Sequence, residues 1–305
     1  MPSPLDASSL SRFRGAFTAI VTPFSADGSR LDFARLEEQI AFQKQGGVTG
    51  IVIAGTTGES PTLEEGEYRE LVDRGVALAH GHGLLAIVGT GSNSTAHATH
   101  LQKTAAKAGA DAALCVNPYY NKPTQDGLIR HFLAMADAAP LPIMLYNIPG
   151  RTGVALTSET IVRLAQHPHI RFIKDATGAL DAANETLLHA PTLSVFSGDD
   201  PLTYPMMALG AKGVVSVLSN IVPARVQGLC RAMLEGKHTE GLRIHRELWS
   251  LTKALFAETN PIPVKAAMWI LGRDTGALRL PMSQASGATV DRLRAEMRRL
   301  ELLPA

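Results

Sequence analysis

Short runs rich in Val, Ile and Leu recur along the chain at residues 18–22, 50–54, 84–88, 112–116, 142–146, 171–174, 193–196 and 213–217. Their starting points lie 20 to 34 residues apart, and the gaps carry amphipathic stretches such as 63–80 and 126–138. A strand covered on both faces reads as a nearly continuous apolar run, and helices between such strands imply parallel crossovers. Eight such units predict a closed (β/α)8 TIM barrel; a doubly wound open sheet would normally stop at about five to seven strands. After Pro223 the pattern turns helical, through 226–234, 239–257, 263–271 and 289–300. The predicted organisation is an N-terminal segment over 1–14, an α/β barrel over 15–235 and a C-terminal helical extension over 236–305.

A chain of 305 residues is typical of one such barrel with an extension. Lys and Arg total 29 against 28 Asp and Glu, a formal charge of +1, and no basic face is available to track phosphates, so nucleic acid is not an expected partner. Residues 1–15 lack the apolar core of a signal peptide, and nowhere do about 18 apolar residues run together, so no membrane span is expected. With only Cys115 and Cys230, neither a disulfide framework nor a thiolate metal cluster is suggested, and a reducing cytoplasm fits. The paired histidines His80/His82, His97/His100 and His167/His169 are not joined to the spacing of a metal site. Gly89-Thr-Gly-Ser-Asn93 begins like a dinucleotide fingerprint but lacks its third glycine, and a tight turn explains it.

In a (β/α)8 barrel the chemistry gathers at the C-terminal ends of the strands. The sixth run, Arg171-Phe-Ile-Lys-Asp175, embeds an amine in an apolar strand, where a charge is expensive. Desolvation disfavours the charged form of an amine, and the neutral form is a nucleophile ready to condense with a ketone as a Schiff base. A lone lysine at a strand end more often snorkels to water, so its neighbours decide the reading. Alternation places Tyr146 on one face of the fifth strand as it places Lys174 on one face of the sixth, and adjacent strands lie about 4.8 Å apart. A phenol beside the amine can shuttle protons during carbinolamine formation and breakdown. Gly55-Thr-Thr-Gly-Glu-Ser60 supplies a tight turn with hydroxyls and N–H groups able to hold a carboxylate. Arg151, in a Gly-flanked loop, could grip a second carboxylate. Two of the chain's five tyrosines stand together in Asn117-Pro-Tyr-Tyr-Asn121.

Taken together, Gly55-Thr-Thr-Gly-Glu-Ser60, Pro118-Tyr-Tyr-Asn121, Tyr146-Asn-Ile-Pro-Gly-Arg-Thr-Gly153, Lys174-Asp-Ala-Thr-Gly178, Ser197-Gly-Asp-Asp200 and Asn260-Pro-Ile-Pro-Val-Lys265 resemble the 4-hydroxy-tetrahydrodipicolinate synthase family. That family belongs to the pyruvate-dependent class I aldolases, which also include N-acetylneuraminate lyase. The resemblance spans nearly the whole chain and implies a lyase in which pyruvate condenses with Lys174 and then attacks L-aspartate-4-semialdehyde, in diaminopimelate and lysine biosynthesis. It implies no metal or organic cofactor. By matching positions it assigns Tyr146, Thr56 and Tyr120 to a proton relay, with Tyr120 reaching a neighbouring subunit's site. It assigns Thr57 to the pyruvate carboxylate and Arg151 to the semialdehyde carboxylate, with Gly198 and Val215 lining the site. It implies a homotetramer built from two tight dimers.

The sequence departs from the family pattern in two places. Asp175 stands where many members carry glutamate, a shorter acid expected to be tolerated on the outward face. Ser60, Asn93 and Tyr119 match a regulatory pocket for lysine, but Glu65 and Tyr68 replace histidines and His97 replaces the glutamate that would pair with the effector, so weak or absent lysine inhibition is expected. The Lys and Tyr chemistry alone would also suit another pyruvate aldolase or dehydratase, of the N-acetylneuraminate lyase or 2-keto-3-deoxy sugar acid type. Arg151 and the threonine pair favour a short acceptor with its own carboxylate. A non-catalytic barrel is the third reading, with no evident need for an unpaired buried amine.

Overall fold

The computed structural model describes residues 10–304, so residues 1–9 of the expected N-terminal segment lie outside the described part. Strand β1 (Gly15–Ala19) leads through α1 (Phe33–Gln45) to β2 (Gly50–Ile53), then α2 (Glu65–Gly81), β3 (Leu85–Gly89), α3 (Thr95–Lys107) and β4 (Ala112–Val116). The chain continues through α4 (Gln125–Ala138), β5 (Ile143–Asn147), the short helices α5 (Pro149–Thr152) and α6 (Ser158–Leu164), β6 (Ile170–Asp175), α7 (Leu180–His189) and β7 (Ser194–Ser197). After α8 (Thr203–Leu209) and β8 (Gly213–Ser216) come α9 (Pro223–Leu234), α10 (His238–Leu255), α11 (Ile262–Ile270) and α12 (Gly287–Arg299). The eight strands pair in sequence order, all parallel, and β8 returns to β1 to close the barrel.

Two apolar layers form because successive strand residues point to opposite faces. Phe17, Val52, Ile87, Leu114, Met144, Phe172, Phe196 and Val215 fill the lumen, while Ile51, Ile53, Val88, Cys115, Leu145 and Ile173 pack outward beneath the helices. Phe13 stacks on Phe172 at 4.4 Å and Phe17 meets Phe196 edge-on at 5.6 Å, so the lumen is a packed core below the site. Where β1 and β8 begin to pair, Gly213 admits no side chain: a Cβ there would lie 1.8 Å from the Gly15 carbonyl oxygen. Side-chain caps start several helices, with Asp32 accepting from Arg35 N, Thr124 from Gly127 N and Ser286 from Thr289 N. Glu64 and Glu67 form a reciprocal capping box at α2.

One boundary moved. The first apolar run suggested 18–22, but β1 spans Gly15–Ala19, and Ile20 and Val21 are equally buried in the loop beyond it. Burial there comes from packing outside the sheet, with Val21 N donating to Asn220 Oδ1 at 3.3 Å, so apolar character alone could not mark the strand's end. Among the described residues no helix is long and apolar enough to cross a membrane.

Where α3 packs on α4, His131 is 4% exposed, its Nδ1 bonds to Thr95 Oγ1 at 2.9 Å, and its Nε2 is buried without a partner. Protonation would bury a donor with nowhere to point, and burial lowers this imidazole from 6.5 to about 4. A depressed folded value stabilises fully above the unfolded value and is lost as pH falls through the folded one, here roughly 3 kcal/mol between pH 6.5 and 4. Denaturant unfolding at pH 7 and pH 4 should therefore show the native protein losing roughly 3 kcal/mol more than His131→Gln. Equal losses would contradict the assignment.

Candidate active site

Strand β6 carries Lys174 into the lumen at its C-terminal end, in register with Tyr146 on β5 and Phe196 on β7. The side chain is 5% exposed, and its Nζ lies over the Tyr146 ring, 4.1 Å from the centroid. Among the described residues no carboxylate stands within ion-pairing distance of that amine.

Three carboxylates surround this region at longer range. Asp175 faces away from the lumen, as expected, yet is buried, and its Oδ1 accepts from Thr177 N at 2.9 Å and Thr177 Oγ1 at 2.7 Å. Asp200 is tied to the end of β8: Ser216 Oγ donates at 2.5 Å, Val217 N at 2.9 Å and Leu218 N at 3.0 Å. Burial pushes the carboxyls of Asp175, Asp199 and Asp200 above the ordinary range, while the charge of Lys174 pulls the latter two back. The strand ends thus carry acids that do not form a salt bridge with the lysine.

Gly198 follows β7 and donates its N–H to Asp175 O at 2.6 Å. A Cβ there would sit 2.7 Å from Ala176 Cβ, 2.9 Å from Asp175 O and 3.1 Å from Lys174 Cε, so only glycine leaves the lysine its space. Val215 lies in the lumen layer beside the same cluster.

The turn after β2 is shaped by Ala54 and Glu59, both at positive φ (52° and 54°). Thr22 Oγ1 donates to Gly58 O at 2.7 Å, which fastens the turn to the loop after β1. Thr56 is half-buried and Thr57 fully buried, with Thr57 Oγ1 accepting from Asn260 Nδ2 at 2.9 Å. Arg151, on α5, donates from Nη2 to the Asn260 carbonyl at 3.0 Å. Beneath the turn the Glu59 carboxylate is buried, pairing with Lys265 Nζ at 2.5 Å and accepting from Arg279 N at 3.0 Å. Lys265 has no solvent exposure and also donates to Ala277 O at 2.7 Å. Burial lowers the pKa of its ammonium, opposed by Glu59 and Asp274.

A cavity of about 460 Å³ opens beside this turn and is lined by Thr56, Ser60, Tyr68, His97, Tyr119 and Arg151, among others. It brings Ser60 and Tyr119 together; Asn93 is not in its wall, and its carbonyl accepts from Asn121 Nδ2 at 2.9 Å. His97 stacks on His100 at 6.4 Å, His100 Nε2 lies 3.4 Å from Glu65 Oε1, and Tyr68 spends its hydroxyl on Gly89 O at 2.8 Å. Tyr120 stands 90% exposed at φ 74°, and no hydrogen bond or ring contact joins it to Lys174, Tyr146 or Thr56.

The sequence profile of the dihydrodipicolinate synthetase family matches residues 12–300. The chain belongs to this family. A relative from Geobacter metallireducens named 4-hydroxy-tetrahydrodipicolinate synthase is 45% identical over 292 residues, covering 95% of this chain and all of that protein. The crystal structure of dihydrodipicolinate synthase from Thermotoga maritima superposes with a TM-score of 0.93 at 41% identity, covering 96% of this chain and 100% of that one. The Acinetobacter baumannii dihydrodipicolinate synthase, solved with pyruvate, gives 0.92 at 39% identity over 95% of this chain and 99% of that one.

Within this family fold, sequence reasoning quoted the Asn260–Lys265 motif without finding its work. Asn260 meets both Thr57 and Arg151, and Lys265 neutralises Glu59. The signal available was a lysine inside an apolar helix, which at 263–271 reads as core and so demands a buried partner. Asp200, likewise quoted only as part of a motif, anchors the start of the loop after β8.

Gly198→Ala tests the packing around the lysine. The added methyl should cost about 1–3 kcal/mol through overpacking and, by displacing Lys174, lower turnover roughly 10- to 100-fold. Thermal unfolding and steady-state rates measure the two, and native-like activity would show that the space beside Cε is not needed.

Proposed function

We propose that the chain is a 4-hydroxy-tetrahydrodipicolinate synthase, a Schiff-base lyase of diaminopimelate and lysine biosynthesis that condenses pyruvate with L-aspartate-4-semialdehyde. The observation that carries this is the buried, unpaired amine of Lys174 against the Tyr146 ring, with carboxylate-binding donors on the neighbouring turn and loop. Lys174 attacks the keto carbon of pyruvate, the carbinolamine loses one water, and the resulting iminium gives up a methyl proton to become an enamine. The enamine carbon bonds to the aldehyde carbon, whose oxygen takes a proton and becomes the product hydroxyl. The acceptor's own amine then displaces Lys174 by transimination, closing the ring and restoring the free lysine. The net release is the single water of the first step.

In this reading Tyr146 and Thr56 move protons to and from the carbinolamine, and Tyr120 of a neighbouring copy completes the relay. The near-complete exposure of Tyr120 supports that role, since a phenol so placed is free to enter another subunit's site. Thr57 holds the pyruvate carboxylate, Arg151 the semialdehyde carboxylate, and Gly198 and Val215 shape the floor. The assembly is a tetramer of two tight dimers, and the setting is cytoplasmic. The iminium is itself the electron sink, so the lysine chemistry supplies what a bound cofactor would otherwise provide.

In the pocket lined by Ser60 and Tyr119, His97 stands where the family pattern would place the carboxylate partner of a lysine ammonium, and the one carboxylate in the wall among the described residues, Glu65, lies 3.4 Å from His100 Nε2. Losing a charged hydrogen-bond partner costs about 1.5–3 kcal/mol, so feedback inhibition by lysine is weak or absent.

One coupled assay tests substrate and regulation together. With pyruvate saturating, kcat/KM for aspartate semialdehyde should exceed that for sugar-derived aldehydes by at least about 100-fold, the scale set by an unsatisfied buried polar group. Lysine at about 1 mM should leave the rate above half, given the missing carboxylate partner. Preference for a sugar acceptor would move the function to another pyruvate aldolase, and sub-millimolar half-inhibition would overturn the regulatory reading.

A further inference from the structure

We infer that Asn260, from the C-terminal extension, is a positioning residue that turns the Thr57 hydroxyl into a hydrogen-bond donor for the keto-acid carboxylate; this rests on the assignment of Thr57 to pyruvate. A threonine hydroxyl has one proton and two lone pairs. Asn260 Nδ2 donates to Thr57 Oγ1 at 2.9 Å, with both residues buried, so that contact occupies a lone pair and leaves the proton unspent. No other side-chain hydrogen bond involves Thr57 Oγ1 among the described residues. A hydroxyl fixed as an acceptor on one side is a donor on the other, the polarity a carboxylate requires.

The position of Asn260 is itself over-determined. Its carbonyl accepts from Arg151 Nη2 at 3.0 Å, and five residues on, Lys265 is locked to Glu59 in the same turn as Thr57. Its Oδ1 is buried with no partner, so the Nδ2 bond to Thr57 is the one side-chain hydrogen bond of this amide among the described residues. Because Arg151 meets the backbone of Asn260 while Thr57 meets its side chain, replacing the side chain separates the two substrates. Pyruvate binding should suffer and acceptor binding should not.

The test uses the full-length protein with Asn260→Ala and the isosteric Asn260→Asp, each in the native and Thr57→Val backgrounds. Borohydride trapping of pyruvate on Lys174 is followed by mass spectrometry against pyruvate concentration, and KM for aspartate semialdehyde is measured in parallel. Asn260→Ala should raise half-saturating pyruvate at least threefold and change the semialdehyde KM less than threefold. Asn260→Asp should raise it further, because a carboxylate accepts the Thr57 proton and repels the keto acid. In the Thr57→Val background the Asn260→Ala effect should vanish, the non-additivity of two groups acting through one contact. A rise below threefold, an Asp variant that binds pyruvate better than the Ala variant, or an undiminished effect in the Thr57→Val background would overturn the inference; a purely structural asparagine predicts the last. If Asn260→Ala does not fold, Asn260→Asp alone decides by the same threshold. Absence of trapping in the native protein would instead defeat the functional reading itself, a separate outcome.

Discussion

An amine placed inside a closed ring of strands, with no carboxylate at ion-pairing distance among the described residues, is the constraint around which the rest of the site is arranged. Among the described residues the other lysine buried as deeply, Lys265, has no exposure and pairs with Glu59. Lys174 is 5% exposed and has only the face of Tyr146. Removing one partner of a buried ion pair costs about 3–5 kcal/mol, and among the described residues Lys174 has no such partner to lose. The lumen below Lys174 is filled by the rings of Phe17, Phe172 and Phe196.

The second constraint is that the turn after β2 is not self-supporting. Glu59 sits at positive φ with a buried carboxylate, a combination that costs energy in backbone and in solvation together. Lys265 and Arg279 N supply the missing hydrogen bonds, and the Arg279 guanidinium continues outward to Glu67 with two contacts of 2.6 Å. The segment after the barrel therefore holds the shape of one turn, through Lys265 on α11 and Arg279 in the loop that follows.

Much of this was legible in the chain itself. Eight apolar runs with amphipathic spacers dictate a parallel closed sheet, and period-two alternation placed Tyr146 beside Lys174, which the β5–β6 register bears out. The end of β1 was not legible, since Ile20 and Val21 are buried by loop packing and look like strand. Asn260 with Thr57 and Lys265 with Glu59 were also hidden, separated by 203 and 206 residues, because no local periodicity links groups so distant.

The most direct measurement of the central claim is to incubate the protein with pyruvate, reduce with borohydride and map the modified peptide by mass spectrometry. The account predicts a single pyruvate-derived adduct on Lys174, absent in Lys174→Ala although that variant stays folded. An adduct on another lysine, or none at all, would contradict it.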